Sequence, residues 1–97
     1  MRKITKEAAA AFLAAVQFSK DNTAVKIDPD SGAAKMYLHG NLIALKHQDG
    51  TTLVSTAGWN TRTTRERLNG LPSVSVRTRG GVLYLNGSEW DGNTKQI

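Results

Sequence analysis

Four glycine-containing dipeptides set the limits on how this chain can fold. Gly40-Asn41, Asp49-Gly50, Gly80-Gly81 and Asn86-Gly87 each read as a two-residue hairpin loop, because such loops need positive φ, which Gly, Asn and Asp reach at least cost. The runs between them alternate apolar and polar residues, the period of a half-buried strand. A loop at Gly40-Asn41 pairs Leu38 with Ile43 and Met36 with Leu45, and one at Asp49-Gly50 pairs Leu45 with Val54. All of these residues are apolar, and a slip of one position would turn the set toward solvent. The turns therefore predict an antiparallel meander over Thr23–Ile27, Ala34–His39, a run ending at Asp49, and Thr51–Thr56. Its core face holds Val25, Ile27, Met36, Leu38, Ile43, Leu45 and Val54, and its other face Tyr37, His39, Leu42, Ala44, Lys46 and Leu53. Across Gly80-Gly81, Val76 faces Leu85 and Arg77 faces Tyr84, and Asn86-Gly87 leads into Ser88-Glu89-Trp90.

Two helices frame these strands. Thr5 reads as an N-cap with Glu7 in the first turn, and Ala9, Phe12, Leu13 and Val16 follow with i, i+3, i+4, i+7 spacing, which predicts about four turns of amphipathic helix. Farther on, Thr63-Thr64-Arg65-Glu66 fits a capping box. Gly70 reads as the C′ residue of that short helix, and Pro72 prevents its resumption. The fold class is α+β: an N-terminal helix packed on a mainly antiparallel sheet built of a four-strand meander, a short helix and a C-terminal hairpin. The 97 residues suit one domain over 1–97, since a chain of this size buries only about 60 to 70% of its unfolded surface. Residues 92–97 are expected to fray.

Composition removes several function classes. There is no Cys, hence neither a disulfide framework nor a thiolate metal site. His39 and His47 have no acidic companion at ligand spacing, so no metal is expected. Asp28-Pro29-Asp30-Ser31-Gly32 begins like a calcium loop but places His39 where the twelfth-position acid belongs, and reads as a turn. No serine triad, carboxylate pair or phosphate-binding glycine loop is present, so the chain reads as a non-enzyme with no cofactor. No run approaches the length of a membrane span, and a cytoplasmic location is the default.

The net charge of +5 is concentrated. Between Asn60 and Gly80 lie five Arg and one acid, Glu66. Trp59, Arg62, Thr63, Arg65 and Arg67 gather around the short helix start, where outward amides favour an anion. Arg77, Arg79 and Tyr84 form a second group, basic residues interleaved with an aromatic on one strand face, as in single-stranded nucleic acid platforms. Each group has a plainer explanation. Trp59 would be a core plug, Thr63 and Glu66 only a cap, and the strand arginines a charged guard on a sheet edge. The binding reading makes the partner a nucleic acid or nucleotide. The alternative is a host protein met by Arg and aromatic residues, and self-association stays open.

The succession Tyr37-Leu38-His39-Gly40-Asn41-Leu42-Ile43-Ala44, Ala57-Gly58-Trp59, Thr63-Thr64-Arg65-Glu66-Arg67-Leu68-Asn69 and Leu83-Tyr84-Leu85-Asn86-Gly87 with Trp90 resembles a family of small accessory proteins of tailed bacteriophages, over roughly Met1 to Trp90. The resemblance brings no catalytic residues. It implies a protein of the host-cell cytoplasm that binds host nucleic acid, host proteins or the small-molecule signals of host defence.

Overall fold

A computed structural model describes residues 1–97. The elements run α1 (Lys3–Ala14), β1 (Phe18–Lys20), β2 (Thr23–Ile27), β3 (Ala34–Leu38), β4 (Asn41–Lys46), β5 (Thr52–Val54), α2 (Arg62–Leu68), β6 (Val76–Arg79), β7 (Val82–Leu85), β8 (Ser88–Glu89) and β9 (Lys95–Gln96). Strands β1 to β5 and β9 form one antiparallel sheet in the order β1-β2-β3-β4-β5-β9, and β6-β7-β8 form a second. The α+β class stands: the N-terminal helix packs on the larger sheet, followed by the short second helix and the three-stranded sheet. One core joins them, from Phe12 of α1 through Val25, Met36, Ile43 and Val54 to Leu68, Val76, Leu85 and Trp90.

Helix α1 buries Ile4, Thr5, Ala8, Ala9 and Phe12. Its small Ala face lets the backbone approach β2 and β3. Leu13 and Val16, expected inside, are exposed: Leu13 lies within the helix but off its buried stripe of Ile4, Ala8 and Phe12, and Val16 follows the left-handed Ala15 (φ 54°) where the helix ends. Lys46 Nζ donates to the Leu13 carbonyl at 2.8 Å, placing a cation at the negative end of the helix. Thr5 is not the N-cap. Arg2 holds that position without a side-chain bond, and Thr5 is buried within the first turn.

The meander departs from the expected register at both of its turns. The β3–β4 loop is His39-Gly40, with φ of 51° and 79°, so Leu38 faces Asn41 and Tyr37 faces Leu42. A bulge follows, in which Ile43 and Ala44 together oppose Met36. Both are buried because a bulge turns two successive side chains to roughly one side. Beyond it Lys35 faces Leu45. The β4–β5 loop is not the expected two-residue Asp49-Gly50 but Gln48-Asp49-Gly50, closed by His47 N donating to Thr51 O at 2.8 Å with Gly50 at positive φ (94°), so Leu45 faces Leu53 in place of Val54, and Ala44 faces Val54. Leu45 is therefore half-buried on the outer face and Ala44 is in the core, the reverse of the expected pair. Strand β1, absent from the sequence reading, pairs with β2 across Asp21-Asn22.

The smaller sheet follows its turns. Val76 faces Leu85 and Arg77 faces Tyr84 across Gly80-Gly81, and Asn86-Gly87 returns the chain as β8. The last segment, expected to fray, lies along the larger sheet, with Val54 opposite Lys95 and Leu53 opposite Gln96. Burial of Trp90 draws it in. The indole N–H donates to the Asn93 carbonyl at 2.8 Å, and Thr56 N donates to Gly92 O at 2.9 Å.

Candidate functional site

The arginines of the basic segment divide by environment. Arg67 is 1% exposed. Its Nε donates to Thr23 Oγ1 at 2.9 Å, Nη1 donates to Thr5 Oγ1 at 2.9 Å and to Glu66 Oε1, and Nη2 reaches Asn22 Oδ1 at 3.4 Å. Glu66 also accepts from the Thr5 hydroxyl. This charge is thus spent inside, joining α2 to α1 and to the β1–β2 turn, and it leaves the ligand-contacting set in which the sequence placed it. Glu66 likewise does not reach back to the start of its own helix; its Oε2 accepts from Arg2 N, at the start of α1, at 3.4 Å. The N-cap of α2 is Thr61, whose Oγ1 accepts from Thr64 N at 3.1 Å. The helix start lies two residues before the expected Thr63.

Gly70 follows α2 without positive φ, contrary to its reading as a left-handed C′ residue; the C-cap Asn69 is itself right-handed. Its lack of a side chain serves close approach: a Cβ there would stand 2.5 Å from Thr5 Cγ2.

Arg62 is exposed, and Arg65 is tied to Asn60, donating to Oδ1 at 2.8 Å. Arg77 and Arg79 are exposed on β6, with half-buried Tyr84 directly across from Arg77. Neither has an acidic partner: the ion pairs of the chain are Lys20–Glu7, Lys35–Asp28 and Arg67–Glu66. Ser75, Arg77, Arg79, Tyr84 and Asn86 line an open cleft of about 600 Å³. Its position is well fixed. The Asn69 side chain bonds both backbone groups of Val76, at 2.6 and 3.0 Å, and Asn86 bonds Ser75 N at 2.8 Å and Ser73 O at 3.0 Å. Glu89 stands across Tyr84 from the arginines and bounds the positive strip on that side.

Trp59 is no core plug. It is 60% exposed and, with Thr63, lines a second cleft of about 500 Å³ between the β3–β4 turn and α2. The remaining wall of that cleft includes Leu38, His39, Asn41 and Ile43, which the sequence reading did not group with Trp59. The hairpin turn beside Gly40 was the available signal, since it brings positions 38–43 toward the β5–α2 connection that carries Trp59. The two clefts share no residue. The structure thus brings Arg77, Arg79 and Tyr84 together, sets Trp59 and Thr63 at another place, and removes Arg67 to the interior. No group of three His, Asp or Glu side chains converges as metal ligands would, and no helix is long and apolar enough to cross a membrane.

The class so defined is a small basic α+β protein with two antiparallel sheets on one core and a solvent-facing arginine–tyrosine strip. By sequence the chain belongs to the Kyanoviridae Gp96 protein family, a cyanophage family whose model matches residues 1–95. The resemblance to bacteriophage proteins stands. No curated protein and no solved structure matches the chain.

Proposed function

We propose that this phage protein is a non-enzymatic accessory protein that captures a phosphate-bearing ligand, nucleic acid or nucleotide, on the face of β6 and β7. The observation that supports this reading most is the pairing of two unneutralised arginines, Arg77 and Arg79, with Tyr84 on one face of a rigidly held strand pair. Guanidinium groups two residues apart on a strand lie on the same side, spaced to take successive phosphates, and the tyrosine ring offers a stacking surface for a base. Val82, exposed opposite Arg79, extends the apolar part of the platform. A function in host takeover or anti-defence fits such capture. Edge protection alone would also explain charges on β6, an edge strand, and binding distinguishes the two.

The test is fluorescence anisotropy of labelled single-stranded RNA and DNA at rising salt. With two phosphate contacts, log affinity should fall against log salt with a slope of about 1.4, at roughly 0.7 per phosphate on single strands. If neither oligonucleotides nor nucleotides bind at low salt, the phosphate reading fails.

An inhibitor that docks on a host protein is the second reading. It is favoured by the outer face of the larger sheet, where half-buried Tyr37, Leu45 and Leu53 adjoin exposed Leu42. Retention of a host protein from bacterial lysate after nuclease treatment would support it.

A further inference from the structure

We infer that the cleft beside Trp59 is a nucleobase site, separate from the strip on β6 and β7. Its volume, about 500 Å³, is within the range of small-molecule sites. None of its lining residues is Asp, Glu, Lys or Arg. An anion would find no Lys or Arg there, and His39 is the one ionisable side chain of the wall, so the cleft suits an uncharged group better than an anion.

The contrast with Trp90 shows why the indole of Trp59 is a recognition surface. Where the fold uses a Trp for packing, it buries it to 7% exposure and satisfies its N–H on Asn93. Trp59 receives neither treatment, yet it is not on a slack loop. Its backbone N–H donates to Thr56 O and its backbone carbonyl accepts from Thr61 N, both at 2.9 Å. A large aromatic face is thus displayed on a fixed mount, which favours stacking by a flat ring without an ordering cost.

The other walls supply what a base needs beyond stacking. Leu38 and Ile43 contribute apolar surface, and Asn41 contributes an amide that both donates and accepts. That amide makes one long contact within the chain, Nδ2 to His39 O at 3.5 Å, and the Thr63 hydroxyl has no hydrogen-bond partner in the chain. An Asn amide matches the N6–N7 edge of adenine in a bidentate pair, so adenine is the favoured base. The turn that presents these groups is itself unusual. His39 takes a left-handed position (φ 51°) that Asn or Gly would fill more easily in a type I′ hairpin.

The ligand chemistry, an adenine ring, could come from a free nucleoside or from a strand, and titration of Trp fluorescence in the full chain separates the two. Trp90, buried, serves as an internal reference for Trp59. Adenosine should quench the Trp59 emission saturably, and Asn41→Ala, which keeps the fluorophore, should weaken that binding about fivefold or more, the low end of a lost bidentate base contact. Arg77→Glu with Arg79→Glu should leave adenosine affinity unchanged, so failure on the β6 face does not count against the cleft. Saturation by oligo(dA) and not by adenosine, absent with an abasic strand of equal length and weakened by Asn41→Ala, assigns the base to a strand and supports the site. Linear, unsaturated quenching by both ligands, or saturation indifferent to Asn41→Ala, overturns it.

Discussion

The junction of α2 with α1 and the face of β6 with β7 carry the same residue type to opposite ends. Arg67 and Arg77 are ten positions apart and equally cationic, but one is enclosed by Thr5, Thr23, Asn22 and Glu66 while the other has only solvent and a tyrosine beside it. Burying a charge is tolerable only where hydrogen bonds and an opposite charge replace its water. Arg67 meets that condition and becomes part of the fold. Arg77 and Arg79 contribute little to stability as exposed charges, which leaves them available for an outside anion. Charge density along a sequence therefore overstates a binding surface wherever one of the charges has internal partners.

The contrast breaks most sharply at Arg67. Arg67→Ala should cost about 3 to 5 kcal/mol, because it leaves Glu66 and three polar side chains without their donor, and urea denaturation measures it. A variant as stable as the parent would return Arg67 to the surface. The same junction is tested by Gly70→Ala, whose Cβ would meet Thr5 Cγ2; it should lose about 1 to 3 kcal/mol by overpacking. Thr61→Ala should cost about 0.5 to 2 kcal/mol and Thr63→Ala clearly less, since Thr61 holds the N-cap. The reverse order of melting temperatures would restore the capping box at Thr63.

The smallest expected effect lies at two turn carboxylates. Asp28 is held below the usual 3.8 by the backbone N–H groups of Ser31 and Asp30, and Asp49 below it by that of Thr51. Each contribution is fully present above pH 3.8 and is lost as pH falls through the depressed value. Asp28→Asn should therefore narrow the gap in stability between neutral and strongly acidic solution. An unchanged acid profile would mean the turn bonds do not discriminate charge.

How far the sequence could be read depended on where the informative contacts lie. The register of β6 with β7 was legible because Gly80 and Gly81 both take positive φ (58° and 82°), leaving no choice of loop position. At Gly40-Asn41 the glycine admits two frames. The chain uses His39-Gly40, and the bulge at Ile43 returns one residue, so the net offset of one exchanges Ala44 with Leu45. Neither event leaves a mark in the local pattern, since Leu42, Ile43, Ala44 and Leu45 are all apolar. Arg67 was misplaced for a related reason. Its partners Thr23 and Thr5 are 44 and 62 residues away, and Thr63-Thr64-Arg65-Glu66 offered a local use for Glu66 that the tertiary contacts override. Within the candidate site, Arg77, Arg79 and Tyr84 could be grouped from strand alternation, whereas the Trp59 cleft needed the β3–β4 turn to fold back.

On the proposed function, Arg77 and Arg79 are free of structural duty and hold phosphate. Its most direct measurement is single-stranded oligonucleotide binding together with the melting temperature for Arg77→Glu/Arg79→Glu, against Lys3→Glu/Lys6→Glu, an exposed pair on α1 whose reversal changes net charge equally. The arginine pair should lose binding with a nearly unchanged melting temperature, and the lysine pair should retain binding. Equal loss in both pairs, or oligonucleotide binding by the arginine variant at the parent's affinity, would contradict the proposed function.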